Sequence, residues 1–210
     1  MSARLIQTDA CVAEGTAWLA AREPRFAEAL AMTGPPPLRR QPGGFDALLR
    51  AICGQQLSVA SAAAVWAKLQ AADATTAAGV AAQGAEGLRA CGLSRQKIAY
   101  ALALAEAGLD FDALAAMPED DAIARLTAVK GIGVWTAEIY LMFAVGRADV
   151  FAPGDLALQE AARLLFDLAD RPGEKPLRAM AEAWSPWRAV AARLLWAYYA
   201  RVKMREGISR

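Results

Sequence analysis

No stretch of this chain alternates apolar and polar side chains as a half-buried strand must. Apolar residues recur instead three and four apart, in segments dominated by Ala, Leu, Glu and Arg, which favour helix. That pattern confines the fold to the all-α class. At 210 residues and 56% hydrophobic, the chain can bury a sizeable core, as one compact domain or two small lobes.

The strongest break is "TGPPPLRRQPGGF" (33–45), which reads as a loop. After it, Leu48, Leu49, Ile52 and Cys53 form one apolar stripe, and Val59, Ala63, Trp66 and Leu69 form a second. "GQQLS" separates them, with Ser58 as a candidate N-cap. Gly92 stops the next helix, Ser94 caps its successor and Gly108 ends it. "MPEDDAIARLTAV" opens with Pro118 and a run of acids, as a helix start should. A helix from about Val134 to Val145, a loop "ADVFAPGD", and helices over "LALQEAARLLFDLA", "PLRAMAEAW" and "SPWRAVAARLLWAYYARVKM" complete the reading. Residues 1–44 also look helical.

Composition removes several chemistries. The chain has no histidine, which excludes a Ser-His-Asp triad, a histidine zinc site and a histidine base. Cys11, Cys53 and Cys91 are odd in number and far apart, which fits reduced thiols in a cytoplasmic protein rather than disulfides or a CxxC metal site. No apolar run reaches the roughly 18 residues of a membrane span. The opening segment lacks a basic start followed by an apolar block, so no signal peptide is expected. Net charge is +1. Residues 45–149 carry 8 basic and 11 acidic side chains, and residues 150–210 carry 10 and 7. A nucleic-acid partner would therefore be held by local groups, not by a broad positive field.

"VKGIGVWTAE" (129–138) supplies such a group. A helix ending near Val129, a turn through Gly131, Ile132 and Gly133, and an immediate second helix make a helix–hairpin–helix. Both glycines can take positive φ and leave the backbone open to a visitor. The second helix then presents free N–H groups and its positive dipole end, which suit a phosphate. Lys130 adds a charge, and Ile132 plugs the turn into the core. A bare αα-corner accounts for the same three residues, so the motif needs its context.

That context is Asp155, in "VFAPGDLALQEAARLLF", 24 residues after Gly131. Hairpin, helix, Gly/Pro loop and an aspartate opening the next helix resemble the helix–hairpin–helix superfamily of DNA glycosylases. Within it the chain is most similar to the 3-methyladenine DNA glycosylase II family. "AICGQQLSVASAAAVWAKL", "GLSRQKIAYALALA", "LTAVKGIGVWTAEIYLMFAVGRADVFAPGDLALQ" and "WSPWRAVAARLLW" carry the likeness, in family order, across residues 45–196. Some members bear an extra N-terminal α/β lobe that residues 1–44 do not resemble.

Asp155 reads by itself as an N-cap. The resemblance also makes it the catalytic aspartate, an anion facing the positive charge that develops on the sugar as the base leaves. Trp135 reads by itself as a core tryptophan. The resemblance puts it in the base pocket, at a position where relatives that also cut the backbone carry a nucleophilic lysine. Trp196 matches a pocket tryptophan whose ring attracts cationic alkylated bases, while Trp184 and Trp187 read as packing between lobes. Gln56 matches the side chain that fills the hole left by a flipped base. Gln55 and Gln56 both read as exposed. The resemblance implies no iron–sulfur cluster, since no cysteine follows Cys91, and a monovalent cation (Na or K) on the backbone carbonyls of Thr127, Val129 and Gly131.

Together these readings predict two helical lobes, 45–149 with the hairpin and 1–44 plus 150–210 with Asp155 at the cleft. They predict a monofunctional glycosylase without a required cofactor, a monomer in the cytoplasm, acting on damaged duplex DNA. A glycosylase for oxidised or mismatched bases and a non-catalytic helix–hairpin–helix DNA-binding module are the alternatives.

Overall fold

A computed structural model describes residues 4–208, with side chains through 204. Residues 1–3 and 209–210 of the expected lobes lie outside the described residues. Among those described, the fold is all-α, and the only β pairing is an isolated antiparallel bridge between Leu5 and Arg147. The chain forms two compact units, Gln41–Tyr140 and Met1–Arg40 with Leu141–Arg210.

The unit Gln41–Tyr140 holds α3 (Phe45–Gly54), α4 (Val59–Ala71), α5 (Ala77–Ala90), α6 (Arg95–Glu106), α7 (Phe111–Ala116), α8 (Glu119–Thr127) and α9 (Val134–Tyr140). Leu48, Leu49, Ile52 and Cys53 are buried as the first stripe requires. The second stripe is only half right. Trp66 and Leu69 are buried, but Val59 is 90% exposed and Ala63 is exposed. In alanine-rich α4, apolar spacing cannot separate a packed face from a solvated one. Ser58 and Ser94 cap α4 and α6, accepting the N–H groups of Ser61 and Lys97. α7 is an element beyond the expected helices. Its signal was Asp110, whose carboxylate accepts the N–H groups of Asp112 and Ala113.

The other unit holds α1 (Asp9–Arg22), α2 (Pro24–Thr33), α10 (Leu156–Leu165), α11 (Glu174–Ala181) and α12 (Arg188–Ile208). α1 and α2 adjoin because Pro24 cannot continue α1 and suits the first position of α2. "PLRAMAEAW" splits into α11 and a 3-10 turn over Glu182–Trp184. Trp184 centres an aromatic cluster with Phe26, Phe151 and Phe166, at ring distances of 5.2, 5.4 and 5.8 Å. Trp184 and Trp187 are thus core residues of their own unit.

The second boundary falls after Tyr140 rather than at 149/150. Leu141–Val145 is a π-helical turn, closed by the Gly146 N–H on the Leu141 carbonyl. Its residues belong with α12. Arg193 donates to the Met142 carbonyl at 3.1 Å and lies 4.6 Å over the Phe143 ring. Those contacts, absent from any sequence pattern, draw the turn into the second unit.

Candidate active site and hairpin

Asp155 stands where a buried loop meets a helix. Ala148, Val150, Phe151 and Ala152 are all buried, which is unusual for a loop and pins it. The Ala148 N–H donates to the Arg4 carbonyl, and the Ala189 N–H donates to the Ala148 carbonyl. Arg188, at the start of α12, grips Asp149 through two hydrogen bonds of 2.8 and 3.1 Å. The loop closes with the Asp155 N–H on the Ala152 carbonyl, while Gln159 donates to the Pro153 carbonyl.

The Asp155 carboxylate then caps α10. Its Oδ1 accepts the N–H groups of Ala157 and Leu158 at 2.9 and 3.0 Å. It also accepts the indole N–H of Trp196 at 3.2 Å. The structure therefore brings together Asp155 and Trp196, 41 positions apart in the chain. Trp196 is set in turn by α12 and by Phe143, whose ring lies 5.8 Å away. Beneath Phe143, buried Arg193 donates to the carbonyls of Leu38, Met142 and Ala189. Burial, with Arg39 and Arg40 nearby, pulls its guanidinium down to about 10, so it stays charged at neutral pH. Leu156, beside Asp155, is 62% exposed. Arg193 carried no signal in the sequence, since an arginine in an amphipathic helix ordinarily faces water.

The other unit holds the hairpin. α8 ends at Thr127, Val129 is buried, and the Ile132 N–H donates to the Val129 carbonyl, closing a tight turn. Ile132 is buried, whereas Lys130 and Gly133 are exposed. Only Gly131 takes positive φ, at +97°. The expectation for Gly133 is corrected: its backbone is not left-handed, and a Cβ there would meet nothing within 4 Å. A Cβ on Gly131 would instead run into the Tyr100 ring. Gly131 is required both by conformation and by the close seat on α6.

Trp135 is 48% exposed on α9, not a core residue. Gln56 is exposed with φ +56°, rare for a residue with a side chain. Gln55 is half-buried, contrary to expectation, because its amide donates to the Gly131 carbonyl at 3.1 Å. That bond ties the "GQQLS" turn to the hairpin within this unit. The proposed cation ligands are carbonyl oxygens, the right donor type for a hard cation. Those of Val129 and Gly131 each already accept one N–H, leaving a lone pair apiece. Among the described residues, no group of Cys, Asp or Glu could hold a metal ion, and none of the helices is long and apolar enough to cross a membrane.

A hairpin seated on a neighbouring helix, followed by a pinned loop that delivers a capping aspartate to an indole, defines a helix–hairpin–helix protein with one distinctive carboxylate. The chain belongs to the HhH-GPD superfamily of base excision DNA repair proteins, whose family model matches residues 49–189. It is 30% identical to DNA-3-methyladenine glycosylase 1 of Schizosaccharomyces pombe over 161 residues, 72% of this chain and 71% of that one. The crystal structure of a DNA-3-methyladenine glycosidase from Bacillus halodurans superposes with a TM-score of 0.84 at 30% identity, covering 97% of this chain and 95% of the other. A 3-methyladenine DNA glycosylase (Mag1) of S. pombe, solved in complex with abasic DNA, gives 0.73 at 27% identity, covering 87% and 95%. Another relative, from Bacillus subtilis, is matched over only 32% of its own length.

Proposed function

We propose that this chain is a monofunctional DNA glycosylase that removes alkylated, cationic bases of the 3-methyladenine type from duplex DNA. The observation that carries the reading is the Asp155 carboxylate, held by two backbone N–H groups and the Trp196 indole. The relatives named above support the substrate class.

In this reading the damaged nucleotide is flipped out of the stack, and Gln56 fills the space it leaves. The Trp196 ring offers an aromatic face to a base carrying formal positive charge. Such a base leaves without protonation, which suits a site with no histidine. As the glycosidic bond breaks, positive charge grows on the deoxyribose. Asp155, already fixed in place, stabilises that charge and orients the attacking water. The Lys130-Gly131-Ile132-Gly133 turn holds a DNA phosphate. A monovalent cation on the carbonyls of Thr127, Val129 and Gly131 would add positive charge there. No other cofactor is required, and the protein acts as a cytoplasmic monomer.

Indole cannot form a Schiff base, so Trp135 predicts hydrolysis without strand cleavage. The test incubates the enzyme with 3-methyladenine-bearing duplex and borohydride. Free base with an intact abasic strand and no covalent adduct is expected. A trapped enzyme–DNA adduct overturns the monofunctional assignment, and absence of base release from any alkylated duplex overturns the glycosylase reading.

A further inference from the structure

We infer that α6 provides a second seat for a DNA phosphodiester beside the hairpin, built from Arg95, Tyr100 and Lys130. This rests on reading the hairpin as a phosphate contact. A recess of about 460 Å³ is lined by Arg95, Gln96, Ala99, Tyr100 and Lys130. Arg95 and Lys130 are both exposed, and neither makes an ion pair or side-chain hydrogen bond among the described residues.

The charge pattern is local and specific. Residues 41–140 carry 7 basic and 10 acidic side chains, so this unit is acidic. Yet the recess itself is lined by two basic residues, Arg95 and Lys130, and by no acid. The acids of the α8 first turn, Glu119, Asp120 and Asp121, lie at the end of α8 away from the hairpin. Arg95 and Lys130 both line the recess, so an anion seated there is attracted by both.

Arg95 is also misplaced as a structural residue. It is the first residue of α6, where the helix dipole disfavours a cation. Its side chain has no partner to offset that disadvantage, whereas its guanidinium can grip two oxygens of one phosphate. Tyr100 completes the seat. Its hydroxyl oxygen accepts the Gln96 amide at 2.5 Å, so its own O–H remains to donate. Its ring lies directly under Gly131, which fixes the recess relative to the turn that holds the neighbouring phosphate. The occupant is a phosphodiester of the hairpin-bound strand.

The experiment measures binding of a fluorescent duplex with a tetrahydrofuran abasic analogue between 50 and 200 mM salt. It compares the wild type with Arg95→Ala and Gly133→Val, alongside thermal melting. The Arg95→Ala variant is expected to flatten the salt slope by about one unit and weaken binding on any sequence. Its melting temperature should be unchanged or higher, since a cation leaves the positive end of a helix. The Gly133→Val variant should weaken binding by blocking the turn, with its fold intact because the added side chain meets open space. Weakened binding by Gly133→Val with a wild-type slope for Arg95→Ala overturns the second seat and leaves the hairpin reading standing. Wild-type binding by both variants overturns the hairpin reading, and the second seat with it.

Discussion

Gln56 shows how much a single residue can carry. Its φ of +56° is a conformation that L side chains avoid, at a cost of roughly 1–2 kcal/mol. Glycine would relieve that strain, offset by about 0.5–1 kcal/mol of added freedom in the unfolded chain. Gln56→Gly is therefore expected to melt no lower than wild type. If the side chain fills the gap behind a flipped base, the same variant should lose activity. Losing about 1.4 kcal/mol of support for the extrahelical state slows release about tenfold at limiting enzyme. Single-turnover release of 3-methyladenine and a melting curve on the same sample test both halves. Wild-type release would show that the strained residue is a turn former only. The sequence presents Gln55 and Gln56 as equivalent exposed amides. They differ because one reaches the Gly131 carbonyl and the other does not, a distinction made by residues 76 positions away.

At the scale of elements, the contact of α1 with α12 turns on Gly15. A Cβ there would meet the buried Trp187 ring and Val190 at 2.7–2.8 Å. Alanine would raise helix propensity by about 0.5–1 kcal/mol, but overpacking a buried contact costs about 1–3 kcal/mol. Gly15→Ala is expected to lower stability by roughly 1 kcal/mol or more, read as a drop in denaturation midpoint without change in m-value. A stabilised variant would mean that Trp187 has room to move. The element order was legible because helix breaks here are written in Gly, Pro and Ser: Ser58, Gly92, Ser94, Pro118 and Gly131 all act where the sequence puts them. The burial of α4 was less legible, since alanines mark no face. The π-helical turn at Leu141–Val145 left no local mark, because Arg193 and Phe143 hold it through contacts from α12. For the same reason the sequence located Asp155 as a helix cap but could not show its bond to Trp196.

For the molecule as a whole, a net charge of +1 means that recognition of a polyanion depends on a few local groups. The proposed activity therefore turns on chemistry at one carboxylate, and Asp155→Asn tests it most directly. Asparagine is nearly isosteric and remains a good N-cap, and its side-chain oxygen can still accept from Ala157, Leu158 and Trp196. Stability should change by only a few tenths of a kcal/mol. In the proposed mechanism, what is lost is the negative charge facing the developing sugar cation. Losing a preorganised electrostatic partner raises the barrier by about 2.7–4 kcal/mol, a roughly hundredfold to thousandfold slower step. The decisive measurement is single-turnover release of 3-methyladenine by Asp155→Asn, with its melting temperature and abasic-DNA affinity determined in parallel. The account predicts near-wild-type melting, affinity equal to or above wild type, and release at least a hundredfold slower. Release at the wild-type rate from a folded, DNA-binding Asn variant would contradict it and leave Asp155 a helix cap.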